Sequence, residues 1–191
     1  MMRLITIILI LVPLTTKASW VLNESKSEIS FISIKNLAIA ETHVFQDLSG
    51  KLDNLGNLEI KIALDSVETK IPIRNERMKE MLFETVKFAR ATVTSKIDLS
   101  FSKNASIGEI AQRKEPFTVD LHGFQQKSET YVAVTLKRNG DVRVDSIRPV
   151  IVNASSHKLS DGIDALRTIA KLTSIAKSVP VSFNLYFSKL K

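Results

Sequence analysis

Leu58-Glu59-Ile60-Lys61-Ile62-Ala63-Leu64 and Val181-Ser182-Phe183-Asn184-Leu185-Tyr186-Phe187 each place a large apolar residue at every second position. Side chains alternate between the two faces of a strand, so a period of two predicts strands with one apolar and one wet face. The same alternation, in less regular form, predicts strands over 91–102, 115–124, 130–138 and 141–153. Trp20-Val21-Leu22 and Glu28–Lys35 open the sheet, and a bulge near Ser33 would bring Ile32 and Ile34 into phase with Ile29 and Phe31. Phe45, Leu48 and Leu52 lead into a further strand. Asp53-Asn54-Leu55-Gly56-Asn57 and Asn139-Gly140 carry hairpin chemistry, since Asn and Gly accept positive φ.

Two stretches break the period. Arg74–Leu82 is rich in helix formers, with Met78, Met81 and Leu82 on one face and Pro72 just ahead, which predicts a short helix over 73–83. Ile163, Leu166, Ile169 and Leu172 form a helical stripe, which predicts a second helix over 161–175 with Ser160 or Asp161 as its cap. The reading is all-β with short helical insertions, with about eight antiparallel strands in one domain. Such a set either packs as a sandwich or closes into a barrel, and periodicity alone does not choose.

The N-terminus predicts export. Arg3, the apolar run Leu4–Leu14 and the small residues of Thr16-Lys17-Ala18 have the layout of a secretory signal peptide cleaved after Ala18. An uncleaved membrane anchor is the alternative, but the apolar run is short for a span. The domain organisation is then a signal peptide over 1–18 and one domain over 19–191. The absence of Cys removes thiol catalysis and thiolate metal sites. The net charge of +7 falls to +5 once Arg3 and Lys17 leave. That basic surface can touch an anionic membrane face transiently. Its Lys and Arg are scattered without interleaved aromatics, which argues against nucleic acid.

Ser27-Glu28-Ile29-Ser30-Phe31, Phe45-Gln46-Asp47-Leu48-Ser49-Gly50, Asp65-Ser66-Val67-Glu68-Thr69, Arg74-Asn75-Glu76, Leu82-Phe83, Lys87-Phe88, Ala91–Ser95 and Leu121-His122-Gly123 stand in the order of the motifs of a known family. Together they make the mature chain resemble the YceI-like family. His43, Leu48, Asn75, Ala89 and Val93 depart from its pattern. The resemblance implies a lipocalin-like antiparallel β-barrel in the bacterial periplasm. It also implies a long isoprenoid chain, such as a polyprenyl quinone tail, or another amphiphilic lipid as ligand, with no other cofactor.

An eight-stranded barrel has room for its own side chains or for one small guest. On the residues alone, the inward set reads first as a packed core and second as the lining of a lipid cavity, and the resemblance reverses that order. With the resemblance, the candidate lipid-binding residues are Phe31, Ile62, Leu64, Leu82, Phe83, Phe88, Val119, Leu121, Val181, Phe183 and Leu185. Leu82, Phe83 and Phe88 are placed at a mobile mouth. Arg74 is the headgroup candidate, against pairing with Glu76 or bonding a carbonyl. His43, His122 and His157 lack metal-ligand spacing, and His122 reads as a strand-end hydrogen-bonder. No Gly-x-Ser-x-Gly elbow is present, so no catalytic residue and no enzyme activity is assigned. The expected protein is a lipid binder, monomeric or homodimeric, that sequesters or carries its guest. The alternative is a filled barrel that docks on a membrane or partner through its basic surface.

Overall fold

The computed structural model describes residues 18–100 and 106–190. The predicted leader therefore lies outside the described residues, apart from Ala18. Twelve strand segments follow in order: β1 Ala18–Leu22, β2 Glu28–Lys35, β3 Ile39–Phe45, β4 Leu48–Asp53, β5 Asn57–Ala63, β6 Val67–Glu68, β7 Arg90–Lys96, β8 Ile110–Leu121, β9 Phe124–Leu136, β10 Val142–Ser146, β11 Val150–Asn153 and β12 Ser178–Lys189. Two helices interrupt them, α1 Pro72–Arg77 and α2 Ser160–Ile169.

Pairing resolves the choice between sandwich and barrel. The segments β1 with β2, β3 with β4, β5 with β6, and β10 with β11 act as four long, bent staves: β12 runs along both β1 and β2 and along both β10 and β11, while β3 and β4 pair with β2 and β1 on one side and with β6 and β5 on the other. With β7, β8, β9 and β12 they make eight, and every stave pairs antiparallel with its neighbour in sequence. The ring closes where β12 pairs with β1 through Leu22 and Phe187, and with β2 through Ile29 and Phe183. Closure removes both sheet edges.

Several local readings need correction. The β2–β3 ladder runs without a shift from Ile29 opposite Phe45 to Lys35 opposite Ile39, so no bulge forms at Ser33. The irregularity sits instead between Ala18 and Trp20. The strand over 91–102 ends at Lys96, and positions 101 and 102 lie outside the described residues. Strands β8 and β9 are longer than the sequence indicated. They join through His122 (φ 56) and Gly123 (φ 78), a two-residue turn with both positions left-handed. The predicted strand over 141–153 divides at Ile147–Pro149.

The first helix is α-helical only from Pro72 to Arg77 and continues as a wider π turn over Met78–Leu82. Helix α2 stops at Ile169, because Lys171 (φ 53) turns left-handed, its N–H bonds the Thr168 carbonyl and the Leu172 N–H bonds the Arg167 carbonyl. That arrangement is a Schellman stop with Lys in the place glycine usually takes. Neither Ser160 nor Asp161 caps the start, which falls at Leu159 without a side-chain bond.

Candidate functional site

Alternation turns one face of every stave inward, and the inward side chains do not fill the space between them. A cavity of about 580 Å3 remains, within the roughly 300–1,000 Å3 usual for small-molecule sites. Val93, Val144, Val181 and Phe183 line it and are only partly buried, because their inner surfaces face that empty volume. Leu22, Leu52, Val142 and Phe187 are buried at the end where β1 pairs with the last residues of β12, with Phe187 only 1% exposed. There the Trp20 indole N–H donates to the Gly140 carbonyl at 2.9 Å and ties β1 to the β9–β10 turn.

At the opposite end some residues line the cavity and are also exposed to solvent: Ile71, Ile73 and Ile169, at 43%, 57% and 45%. That double character marks the mouth. It lies between the start of α1, the β2–β3 hairpin and the segment after α2. The last two are tied together, since Asn36 accepts from the Thr173 N–H and the Leu37 N–H donates to Ser174 Oγ.

Just inside the mouth the wall turns polar. Positions 33 and 35 share a face with Ile29 and Phe31, and positions 41 and 43 share one with Phe45, so Ser33, Lys35, Glu41 and His43 all face the cavity. Arg74 of α1 completes the group. Its guanidinium donates to Glu41 at 2.6 Å and to the Thr69 carbonyl at 2.6 Å, and Lys35 bonds the other oxygen of Glu41 at 2.8 Å. Hydrogen bonds from Lys35 hold the Glu41 carboxyl below its ordinary range against the upward pull of burial, with Arg74 adding to the effect. His43 is 3% exposed and bonded to Ser33 at 2.9 Å. Burial first, and then the Arg74 charge, push its imidazole pKa down, which keeps the ring neutral. His43 Nδ1 and Arg74 Nε are buried without a hydrogen-bond partner. Two donor-capable nitrogens thus sit at the edge of an otherwise oily chamber.

A second polar spot lies lower on the wall. Burial raises the Glu115 pKa, and Arg113 Nε donates to that carboxyl at 2.9 Å. Aromatic rings run down the other wall: Phe83 packs on Phe45 at 5.9 Å, Phe45 on Phe31 at 5.4 Å, and Phe31 meets His43 edge-on at 5.3 Å. Among the described residues no group of three His, Cys, Asp or Glu could hold a metal ion.

Phe31, Ile62, Leu64, Leu82, Phe83, Val119, Leu121, Val181, Phe183 and Leu185 all line the cavity, as does Arg74. Phe88 does not: its ring lies tilted against His122, with centroids 4.1 Å apart, and occupies the space a side chain at Gly123 would need. Leu82 and Phe83 are 9% and 6% exposed and belong to the wall, so the mouth lies at Ile71, Ile73 and Ile169 instead. Arg74 pairs with Glu41, not Glu76, and does bond a carbonyl. His122 is a strand-end hydrogen-bonder, with Nε2 3.0 Å from Glu84. Sequence reasoning did not assign Ser33, Lys35 or Glu41 to the site, and weighed His43 only as a metal ligand. Their signal was a polar residue at the parity of an apolar face.

The family model of the YceI-like domain matches residues 20–187. A polyisoprenoid binding domain from Saccharophagus degradans has a similar structure, with a TM-score of 0.88 and 34% identity over 91% of this chain and 100% of that one. BcnA of Burkholderia cenocepacia shares the fold at a TM-score of 0.62 and 18% identity, over 86% of this chain and 98% of that one. The Campylobacter jejuni YCEI protein is more distant, with a TM-score of 0.50 and 15% identity over 78% and 84% of the two chains. No curated protein matches the chain.

Proposed function

The chain belongs to the YceI-like family, and from that premise we propose that it binds one long-chain isoprenoid or similar amphiphile inside the barrel, without chemical change to it. The observation that carries the reading is a largely apolar chamber of about 580 Å3 with a cluster of polar side chains at its mouth. The tail lies between Phe31, Val93, Val144, Val181 and Phe183, and the head rests near Arg74 and His43. Each buried methylene contributes roughly 0.8 kcal/mol, so ten buried carbons supply on the order of 8 kcal/mol before the cost of ordering the guest. The two unpartnered nitrogens favour a head that accepts hydrogen bonds, such as a quinone carbonyl.

The leader-like N-terminus supports the periplasm as the place of action, with sequestration or carriage of the lipid as the role. The test is mass spectrometry of an organic extract from protein purified without detergent. One amphiphile per chain is expected. An empty extract, together with no uptake of a prenyl quinone or a fatty amide, would overturn the reading.

A further inference from the structure

Three separate segments meet at the mouth, and each carries exposed aliphatic side chains. The β2–β3 hairpin carries Leu37 and Ile39 at 87% and 48% exposed, the start of α1 carries Ile71 and Ile73, and the end of α2 carries Ile169. Leu37 is the extreme case. It sits at the hairpin tip with φ 68, a left-handed conformation that costs an L-residue strain, and its side chain remains almost wholly in water. Neither its conformation nor its packing within the fold accounts for a leucine at this position.

Charge at the same rim is unbalanced. Residues 35–41, 68–77 and 169–176 hold five cations (Lys35, Lys70, Arg74, Arg77 and Lys171) and three carboxylates (Glu41, Glu68 and Glu76). Glu41 is held by Lys35 and Arg74, Glu76 by Lys79, and Glu68 accepts from the Lys70 backbone N–H. The side chains of Lys70, Arg77 and Lys171 have no ion-pair partner among the described residues. Lys70 and Lys171 are both exposed and left-handed.

We propose that this rim is a membrane-docking face: Leu37, Ile39, Ile71, Ile73 and Ile169 dip into the headgroup region of a bilayer containing anionic phospholipid, while Lys70, Arg77 and Lys171 contact its phosphates. The mouth of the cavity then opens onto the lipid. The composition favours a bilayer over a protein partner. The rim segments carry aliphatic tips around a hole and none of the Trp or Tyr that anchor protein interfaces. Apolar side chains ringed by Lys and Arg suit an anionic bilayer surface. The docking stands on this surface alone and does not require the lipid-binding reading to be right.

The test is co-flotation of the purified protein with vesicles of phosphatidylglycerol and phosphatidylcholine in equal parts, and with phosphatidylcholine alone. Leu37→Asp and Ile73→Asp are suitable probes. Asp tolerates left-handed φ, and an acid in the first turn of a helix is favourable, so both changes suit the fold. The unaltered protein should float with the anionic vesicles and detach as salt rises. Each Asp variant should lower partitioning by about tenfold. Lys70→Gln with Lys171→Gln should lower it several-fold on anionic vesicles only. Leu55→Asp, on the β4–β5 turn at the closed end, should change nothing.

Failure of the unaltered protein to float would overturn the proposal, as would equal flotation of Leu37→Asp. A concentration-dependent dimer that Leu37→Asp dissociates, without vesicle binding, would replace the membrane with a second copy of the chain. Prenyl-quinone uptake in vesicle-free solution is read separately. Its failure with flotation intact would count against the proposed guest and leave the docking face standing.

Discussion

Val93→Phe and Val144→Phe separate a hollow barrel from a filled one by the sign of two effects. Both valines line the cavity and are partly buried, on strands β7 and β10, so neither new ring need displace the other. Each substitution adds four carbons. If those carbons enter the chamber, they gain burial in the free protein and take places a guest would use. At roughly 0.8 kcal/mol per carbon, each variant should lose about 3 kcal/mol of guest affinity, on the order of a hundredfold in Kd. Its melting temperature should stay level or rise.

In a filled core the same rings would be overpacked, at a cost of about 1–3 kcal/mol, and Tm would drop. The assay pairs thermal unfolding of the ligand-free variants with titration by a long-chain prenyl quinone. A fall in Tm with unchanged quinone affinity would refute the reasoning.

Three further outcomes follow from the site and its supports. His43 has a lowered pKa in the folded state, so above about pH 6.5 it is neutral in both states and carries no penalty. As pH falls through that value the unfolded chain takes up a proton that the folded chain refuses, and stability falls by at most about 1.4 kcal/mol per pH unit. In urea unfolding His43→Gln should flatten this acid slope, and an unchanged slope would rule His43 out as its source. Arg74→Met should weaken binding of a quinone by about 1–3 kcal/mol while leaving a headless polyprene nearly unaffected, and equal losses for both would remove Arg74 from the headgroup site. Gly162→Ala would place a Cβ 2.6 Å from the Met81 carbonyl oxygen and 2.9 Å from Leu82 Cα, so it should push α2 off the π turn and destabilise by about 1–3 kcal/mol in a denaturant titration. A neutral result there would mean that the close approach is not maintained in solution.

Much of the barrel was legible because its inward positions obey a simple parity. Ile60 and Ile62, or Phe183 and Leu185, announce a strand face whatever lies across from them. The features that sequence concealed are those set by unusual backbone in ordinary residues. Lys171 ends a helix and Leu37 tops a loop, both in the left-handed region without a glycine as warning, and His122 is left-handed at the first position of a turn whose glycine stands second. The polar group at the mouth was hidden for a related reason. Ser33, Lys35, Glu41 and His43 occupy inward parity, but they look like surface residues until Arg74 arrives from a distant helix to pair with Glu41. The size of the chamber was not readable at all, since it depends on how far eight staves stand apart and not on which residues face inward.

A crystal structure of the protein after incubation with a long-chain prenyl quinone tests the central claim most directly. The account predicts continuous density for the tail between Phe31, Val144 and Phe183, with the head beside Arg74 and His43. An interior closed by the protein's own side chains, with the quinone absent or bound only outside the barrel, would contradict it.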